Sequence, residues 1–424
     1  MLASAGMSNE RPSQSSLPGG VPAAAHSEPR IQRPRRAAPA DAVRPTRAEV
    51  NLAALRHNLR VVTRAAGSSQ VWPVLKADGY GHGAPAVART LERAGAHGFC
   101  VALLEEGIEL REAGIRAPIL VMGGYYGDAY HEVIERKMIP VVYDMAQAEG
   151  FARLVRSAAL PGPIDVHLKL DTGMARLGVP VAQAAAFAAE LAEYPEVRVA
   201  GLMTHLACAD AASTADLDAQ MIRFDEATAR LSRHGIRPDV RHAANSAALL
   251  RGAAKLDWAR PGVALFGVSP RAVGEGGALQ DPFVSDLQPV MRVRTEIVAL
   301  RPVPTGERIG YGGLWTAARP SIIATIPMGY ADGLSRHLTN RGAVLVRGTR
   351  APIAGAVSMD LTMIDVTDVL GVQLRDEVVV LGEQEGPQGV QLLGADEVAG
   401  WGGTIPWEVM TQISRRVPRF YREP

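Results

Sequence analysis

Cysteine is almost missing: Cys100 and Cys208 are the two in 424 residues. Two thiols cannot build a disulfide framework, and such sparing use suits a reducing, cytoplasmic compartment. Both stand in apolar or small-residue stretches and read as buried, inert thiols. An excess of one charge is also lacking. The 45 basic residues stand against 44 acidic ones, a formal charge of +1, which argues against a nucleic-acid binder. No apolar run reaches the roughly 18 residues of a membrane helix. The first residues lack the succession of basic, apolar and small residues that marks a secretory signal. Residues 1–42 are instead rich in Ser, Pro, Ala and Arg and read as a disordered extension. Within it Arg30, Arg33, Arg35 and Arg36 form a basic cluster, by default a solvated tail, and Met7 is an alternative start.

What is present is a large apolar content, 47%, in a chain too long for one ordinary domain. From about Val71 to Phe266 short apolar runs alternate with amphipathic stretches. Strands are expected at Val71–Leu75, Phe99–Leu103, Ile119–Met122, Pro140–Tyr143, Ile164–Leu170, Val199–His205 and Val263–Phe266. Helices are expected at Gly83–Gly95, with Val87, Leu91 and Ala94 on one face, and at Leu104–Ala113, ending at Gly114. Repeated β-α units of this kind predict an α/β fold, a (β/α)8 barrel over residues 43–284 with its site at the C-terminal strand ends. A doubly wound sheet is the alternative. After about Pro282 the texture turns β-branched and is punctuated by Gly, Pro and Asp, predicting a mainly β domain over 285–424.

Several runs bear on chemistry. In Val74–Gly83 a lysine, Lys76, ends an apolar strand. Desolvation there favours a neutral amine able to form an imine with an aldehyde cofactor, although a lone strand-end lysine is ordinarily just solvated. His167–Gly178 ends a strand and carries Lys169, Asp171 and Arg176. An arginine there can hold a carboxylate through paired hydrogen bonds, while a surface Lys169–Asp171 pair is the plain alternative. Gly201–Ala207 includes His205, which alone would pass for a core histidine. His242–Ala247 offers the Ser246 hydroxyl and backbone amides at a strand-to-helix turn, suited to a phosphate or simply to capping. Arg260–Gly267 brings Arg260, Gly262 and Val263. Arg308–Gly313 sets Tyr311 among glycines, where nearby positive charge would make its phenolate more accessible. Met328–Gly333, Val357–Asp360, Gly403–Val409 and Arg415–Arg419 would pass for turn, strand and surface residues.

Taken in this order, these runs resemble the alanine racemase family, and the resemblance covers about residues 44–421. It implies a pyridoxal 5'-phosphate enzyme that interconverts L- and D-alanine, supplies D-alanine for peptidoglycan, and works as a homodimer with shared sites. No metal, nucleic acid or membrane is expected. By resemblance Lys76 carries the cofactor and serves as one base. Tyr311, from the partner subunit, serves as the other, and His205 links an arginine to that tyrosine. Arg176 receives the substrate carboxylate, which Met359 and Asp360 approach from the partner. Tyr80, Ser246, Gly262 and Val263 hold the cofactor. Arg260 donates to the ring nitrogen; an arginine keeps its own proton, which weakens the ring as an electron sink and favours racemisation over transamination. Lys169 matches a lysine that is carbamylated in some members, and Tyr330 and Asp332 match entrance residues. Trp407 departs from the pattern: a tyrosine is usual there, and an indole offers one donor and no acceptor. That departure keeps open a serine or broad-specificity racemase. A non-catalytic cofactor-binding protein on a similar barrel would lack the second domain, and a decarboxylase on related architecture fits the resemblance less well.

Overall fold

A computed structural model describes residues 42–124, 127, 129–270 and 283–423; the expected extension, its arginines and Met7 lie outside the described residues. The first elements are strand β1 (Arg47–Asn51) and helix α1 (Leu52–Ala66). The Asn51 side chain accepts the Ala54 amide at 3.0 Å and so caps the helix. Leu55, Leu59, Val62 and Ala66 recur at helical spacing on its buried face.

Eight parallel strands follow: β2 (Gln70–Val71), β3 (Phe99–Val101), β4 (Ile119–Val121), β5 (Met138–Val142), β6 (Ile164–Asp171), β8 (Val197–Met203), β9 (Val240–His242) and β10 (Trp258–Ala259), with a short β7 (Val179–Pro180) beside β6. They run β3-β4-β5-β6-β8-β9-β10-β2. The ring closes where the chain beyond β2 reaches β3: Leu75 donates to the Cys100 carbonyl and Cys100 to the Pro73 carbonyl, both at 2.8 Å. The helices between are α2 (Ala84–Arg93), α3 (Leu104–Glu112), α4 (Tyr130–Glu135), α5 (Met145–Ser157), α6 (Ala184–Leu191), α7 (Ala215–Arg233) and α8 (Ser246–Leu250). The fold is thus the expected barrel, with its strands buried on both faces.

One expected strand is corrected. Val263–Phe266 is a 3-10 helix closed by Gly267 in the left-handed region. A four-residue apolar run is buried equally well in either form, and Pro261-Gly262 turns the chain out of the barrel before it begins. The last strands are instead β9 and β10, too short and too rich in His, Arg and Trp to stand out. Ala94 is exposed rather than packed, and Cys208 is half-buried, whereas Cys100 is fully buried.

The barrel interior is filled by an aromatic stack. Trp72 and Trp258 lie face to face, centroids 3.8 Å apart, and His167 and His242 lie 5.0 and 5.1 Å from the Trp258 ring. Burial pushes His167 down to about 3 and His242 well below its usual value, with the Arg260 charge adding to both shifts. Burial also takes His82, outside the barrel lumen, to about 3.

The second part is mainly β: β11 (Met291–Glu296), β12 (Ala299–Val303), β13 (Arg308–Ile309), β14 (Trp315–Thr316), β15 (Ser321–Ile326), β16 (Ala343–Val346), β17 (Thr349–Pro352), β18 (Thr362–Asp365), β19 (Glu377–Gly386), β20 (Gly389–Leu393) and β21 (Arg419–Arg422), with helices α9 (Ala395–Gly402) and α10 (Pro406–Gln412). Its main sheet runs β17-β16-β19-β11-β1-β21, with β20 on β19. The first strand therefore pairs antiparallel with β11 and parallel with β21. Buried Glu49 in β1 is gripped by Arg47 (3.0 Å), Arg292 (3.2 Å), Arg294 (2.7 Å) and Arg422 (2.5 Å), which ties three strands through one carboxylate. Among the described residues no helix is long and apolar enough to cross a membrane.

Removing the buried Glu49 carboxylate takes the shared partner from four part-exposed arginines, of which Arg292 and Arg294 keep Glu377. Glu49→Ala should cost about 1–2 kcal/mol in urea unfolding, whereas Glu423→Ala, at an exposed pair, should leave the midpoint unchanged. The depressed histidines set an acid limit. Their folded values lie below the unfolded one, so the stability they contribute is present above pH ~6.5 and is lost as pH falls toward 3. Thermal midpoints measured from pH 7 to 4 should fall, and His167→Gln should flatten that slope.

Candidate active site

Lys76 stands where the chain leaves the barrel after Leu75. The next five residues are all left-handed: Ala77 (φ 50°), Asp78 (59°), Gly79 (61°), Tyr80 (53°) and Gly81 (81°). Each non-glycine there costs roughly 1–2 kcal/mol, so the turn has to be held from outside. Ala77 donates to Glu106 Oε1 at 2.7 Å. Asp78 Oδ1 accepts the Ala84 amide at 2.8 Å. His82 Nδ1 lies 3.0 and 2.9 Å from the Gly79 and Tyr80 carbonyls, and its ring stacks on Phe266 at 4.2 Å. Arg419 donates to the Gly81 carbonyl at 3.0 Å. A Cβ on Gly81 would sit 2.3 Å from the Met410 carbonyl, so α10 packs directly on the turn.

Burial, then the Arg176 charge, lowers the Lys76 pKa, while Glu106 pulls it up. Lys169 is buried rather than part of a surface pair. Burial first, then Arg176, Arg260 and Lys76, bring it down to about 8, and its Nζ donates to the Met122 carbonyl at 3.4 Å. Asp171 turns away from it: one carboxylate oxygen accepts the Gly173, Met174 and Ala175 amides at 2.9, 2.9 and 3.1 Å, shaping the loop that carries Arg176. Arg176 is exposed and makes no hydrogen bond to a described residue.

Arg260 is buried, with its pKa lowered by burial to about 10, still a cation at neutral pH. One nitrogen donates to the Thr204 and Ala243 carbonyls at 2.8 and 3.1 Å. The other lies 2.6 Å from His242 Nδ1. A guanidinium only donates, so Nδ1 accepts, and His242 Nε2–H points to His167 Nδ1 at 2.7 Å. His205, after β8, is also driven down to about 3 by burial and then by Arg260, Arg176 and the lysines.

At the strand-to-helix turn after β9, Asn245 provides the cap by accepting the Ala248 amide at 3.0 Å, which leaves the Ser246 hydroxyl to other work. Ser246 Oγ accepts the Gly262 amide at 2.9 Å and faces that of Ala264 at 3.4 Å. A Cβ on Gly262 would lie 2.2 Å from Tyr80 Oη, so the glycine makes room for the phenol. Lys76, Tyr80, His205, Ser246, Arg260, Gly262, Val263 and Trp407 line one cavity of about 540 Å³. Asp210 lines it too, with nothing in the sequence to draw attention to it, and so does Ile405, from the Gly403–Val409 run.

Other candidates stand apart from this cavity. Tyr311 is 73% exposed and Met359 52%; Arg308 holds the turn after Tyr311 through the Gly312 and Gly313 carbonyls at 2.9 and 3.1 Å. Tyr330 is also exposed. Asp360 pairs with Arg416 at 2.7 Å. Asp332 is fully buried, held by Arg44 at 3.0 and 2.7 Å, and accepts the Gly329 amide. Arg419, which reads as surface charge in the sequence, is buried among the carbonyls of Gly81, Ile413, Ser414 and Val417. Glu106 had a visible signal: a glutamate three residues after a helix boundary is half of a capping box.

Comparison with known proteins accounts for both parts of the chain. The alanine racemase N-terminal domain family matches residues 50–270 and the alanine racemase C-terminal domain family matches 290–421. The chain is 62% identical over 389 residues to an alanine racemase of Sorangium cellulosum, covering 90% of this chain and all of that one. It is 42% identical to one from Geobacter sulfurreducens, over 90% of this chain and 98% of the relative. The crystal structure of the biosynthetic alanine racemase from Pseudomonas aeruginosa superposes with a TM-score of 0.77 at 37% identity, covering 89% of this chain and 99% of that one. That from Streptomyces coelicolor gives 0.80 at 35%, covering 90% and 99%. With both halves matched in order and the barrel and β parts both in place, the chain belongs to the alanine racemase family.

Proposed function

We propose that this chain interconverts L- and D-alanine using pyridoxal 5'-phosphate held on Lys76. The observation that carries the reading is the shared cavity: a desolvated lysine, a buried arginine and an anion cup all open onto it. The donor set fits the cofactor. Ser246, Tyr80 and the Gly262–Ala264 amides suit a phosphate, and Arg260 suits a ring nitrogen as a donor that keeps its proton. When bound, the cofactor withdraws electrons from the substrate's α-carbon and makes its proton acidic.

This chain's residues then divide the work. Lys76, lowered in pKa, takes or returns the α-proton on one face. Arg176, free of other partners, holds the substrate carboxylate as an ion pair. Tyr311 lies on an exposed turn away from the cavity, so in this reading it serves the other face in a second copy of the chain. A homodimer with shared sites follows, to which Met359 and Asp360 come from the same side as Tyr311. His205, neutral beside Arg260, joins that arginine to the tyrosine. Tyr330 borders the entrance, and buried Asp332 holds the turn beneath it. Residues 43–284, apart from β1, which joins the sheet of the second part, make up the cofactor barrel in this reading, and 285–424 supply the second base. Lys169, down to about 8, keeps enough neutral amine to be carbamylated, which would turn a cation beside Arg176 into an anion. A cytoplasmic enzyme of this kind supplies D-alanine for peptidoglycan.

Trp407 on the cavity wall favours a second reading, a serine or broad-specificity racemase, because an indole replaces the hydroxyl expected there. Chiral chromatography after incubation with pyridoxal phosphate separates the two: D-alanine should dominate from L-alanine, and predominant D-serine from L-serine would defeat the alanine assignment. For the shared site, inactive Lys76→Ala and Tyr311→Phe proteins should regain activity when their subunits exchange. Random pairing makes half the dimers mixed, each with one intact site, so about a quarter of wild-type activity should return. No recovery, with mixed dimers visible by native mass spectrometry, would defeat sharing.

A further inference from the structure

Glu106 is the third residue of α3, and it does more than cap that helix. Its Oε2 accepts the Ala102 and Leu103 amides at 2.8 and 3.1 Å, which serves the helix start. Its Oε1 reaches across 29 residues of sequence to the Ala77 amide at 2.7 Å. That amide belongs to the first left-handed residue after Lys76. A cap needs one oxygen; the second is spent on the backbone of the lysine turn.

The same carboxylate is the anion at Lys76. Among the described residues, the other charged or titratable groups around the lysine or lining its cavity are Arg176 and Lys169 from β6 and its loop, His205 and Asp210 after β8, Arg260 after β10, and Tyr80 and Asp78 in the turn itself, the last of these engaged with the Ala84 amide. Burial and Arg176 oppose protonation of Lys76, and Glu106 favours it. A carboxylate placed there sets both where the amine points and how readily it holds a proton.

We propose that Glu106 is a positioning residue for Lys76: it seats the strained turn that presents the lysine and keeps a negative charge behind it. The inference rests on the racemase reading above. Glu92 provides the internal comparison. Its Oε1 also clamps two loop amides, Arg116 at 2.8 Å and Ala117 at 2.7 Å, at the entry to β4, on the opposite end of the barrel from the lysine.

The test uses Glu106→Gln, Glu106→Asp and Glu92→Gln in the full chain. Glutamine loses the charge and keeps one acceptor, which can serve Ala77 while its NH2 gives up the Ala102 and Leu103 amides. Aspartate keeps the charge but falls short of the amide. The first readout is the rate of Lys76 reductive methylation against pH in cofactor-free protein, followed by peptide mass spectrometry. Loss of the anion lowers the Lys76 pKa, so the Glu106→Gln profile should move to lower pH by roughly half a unit or more, and Glu92→Gln should not move. The second is pyridoxal phosphate affinity by absorbance, which should weaken about tenfold in Glu106→Asp. In the racemase assay the Lys76 limb of the kcat profile should shift the same way. The idea is overturned if Glu106→Gln and Glu106→Asp match Glu92→Gln, with a lower thermal midpoint but unmoved profile and affinity. If the wild type makes no D-alanine, the racemase reading fails, and the methylation profile still decides the role of Glu106.

Discussion

A run of five left-handed residues is the constraint on which the site depends. Such a backbone does not form for its own sake, because each non-glycine in it is strained. It persists because unrelated parts of the chain supply its partners: Glu106 from α3, His82 behind it, Arg419 from the last strand, and α10 pressed against Gly81. The lysine at its head is thereby aimed by the whole molecule. Strain at a functional position, stabilised from several sides, is the usual way a fold fixes a geometry that local propensity would reject.

The electrostatics follow the same logic. Lys76, Lys169 and Arg260, with the exposed Arg176, concentrate positive charge around one cavity, an arrangement suited to anionic ligands. The histidines below cannot relieve it by losing protons, since burial and the same cations already hold them neutral. Arg260 therefore sits on a neutral, hydrogen-bonded column, which keeps it oriented as a donor without diluting its charge.

Much of this was legible in the residues. Six barrel strands announced themselves as apolar runs, and Lys76, Ser246 and Arg260 fell at strand ends where a barrel puts its chemistry. Strands β9 and β10 did not, because two or three residues containing His, Arg and Trp carry no periodic signal, and Val263–Phe266 was misread because a short apolar run suits a buried 3-10 turn as well as a strand. Tyr311 and Met359 became candidates only through resemblance: no local pattern connects an exposed turn in one part of the chain with a lysine in another. Arg419 and the pairing of β1 were out of reach for the same reason, since each acts through contacts distant in sequence, and of Glu106 only the local capping role was readable, not its reach to Ala77.

The pairing of β1 has a consequence for how the protein is made. Residues 47–51 are among the first described residues to be synthesised, yet their sheet position lies between β11 and β21. The parallel neighbour and the Arg419 that fastens Gly81 lie far later in the chain, in β21 (Arg419–Arg422). A nascent chain can assemble barrel units as they emerge, but the turn after Lys76 lacks one of its holds until Arg419 has emerged. Seating of Lys76 thus waits on β21, and a product cut short before that strand keeps the residues that line the cavity but lacks the Arg419 contact that helps to hold the turn presenting Lys76.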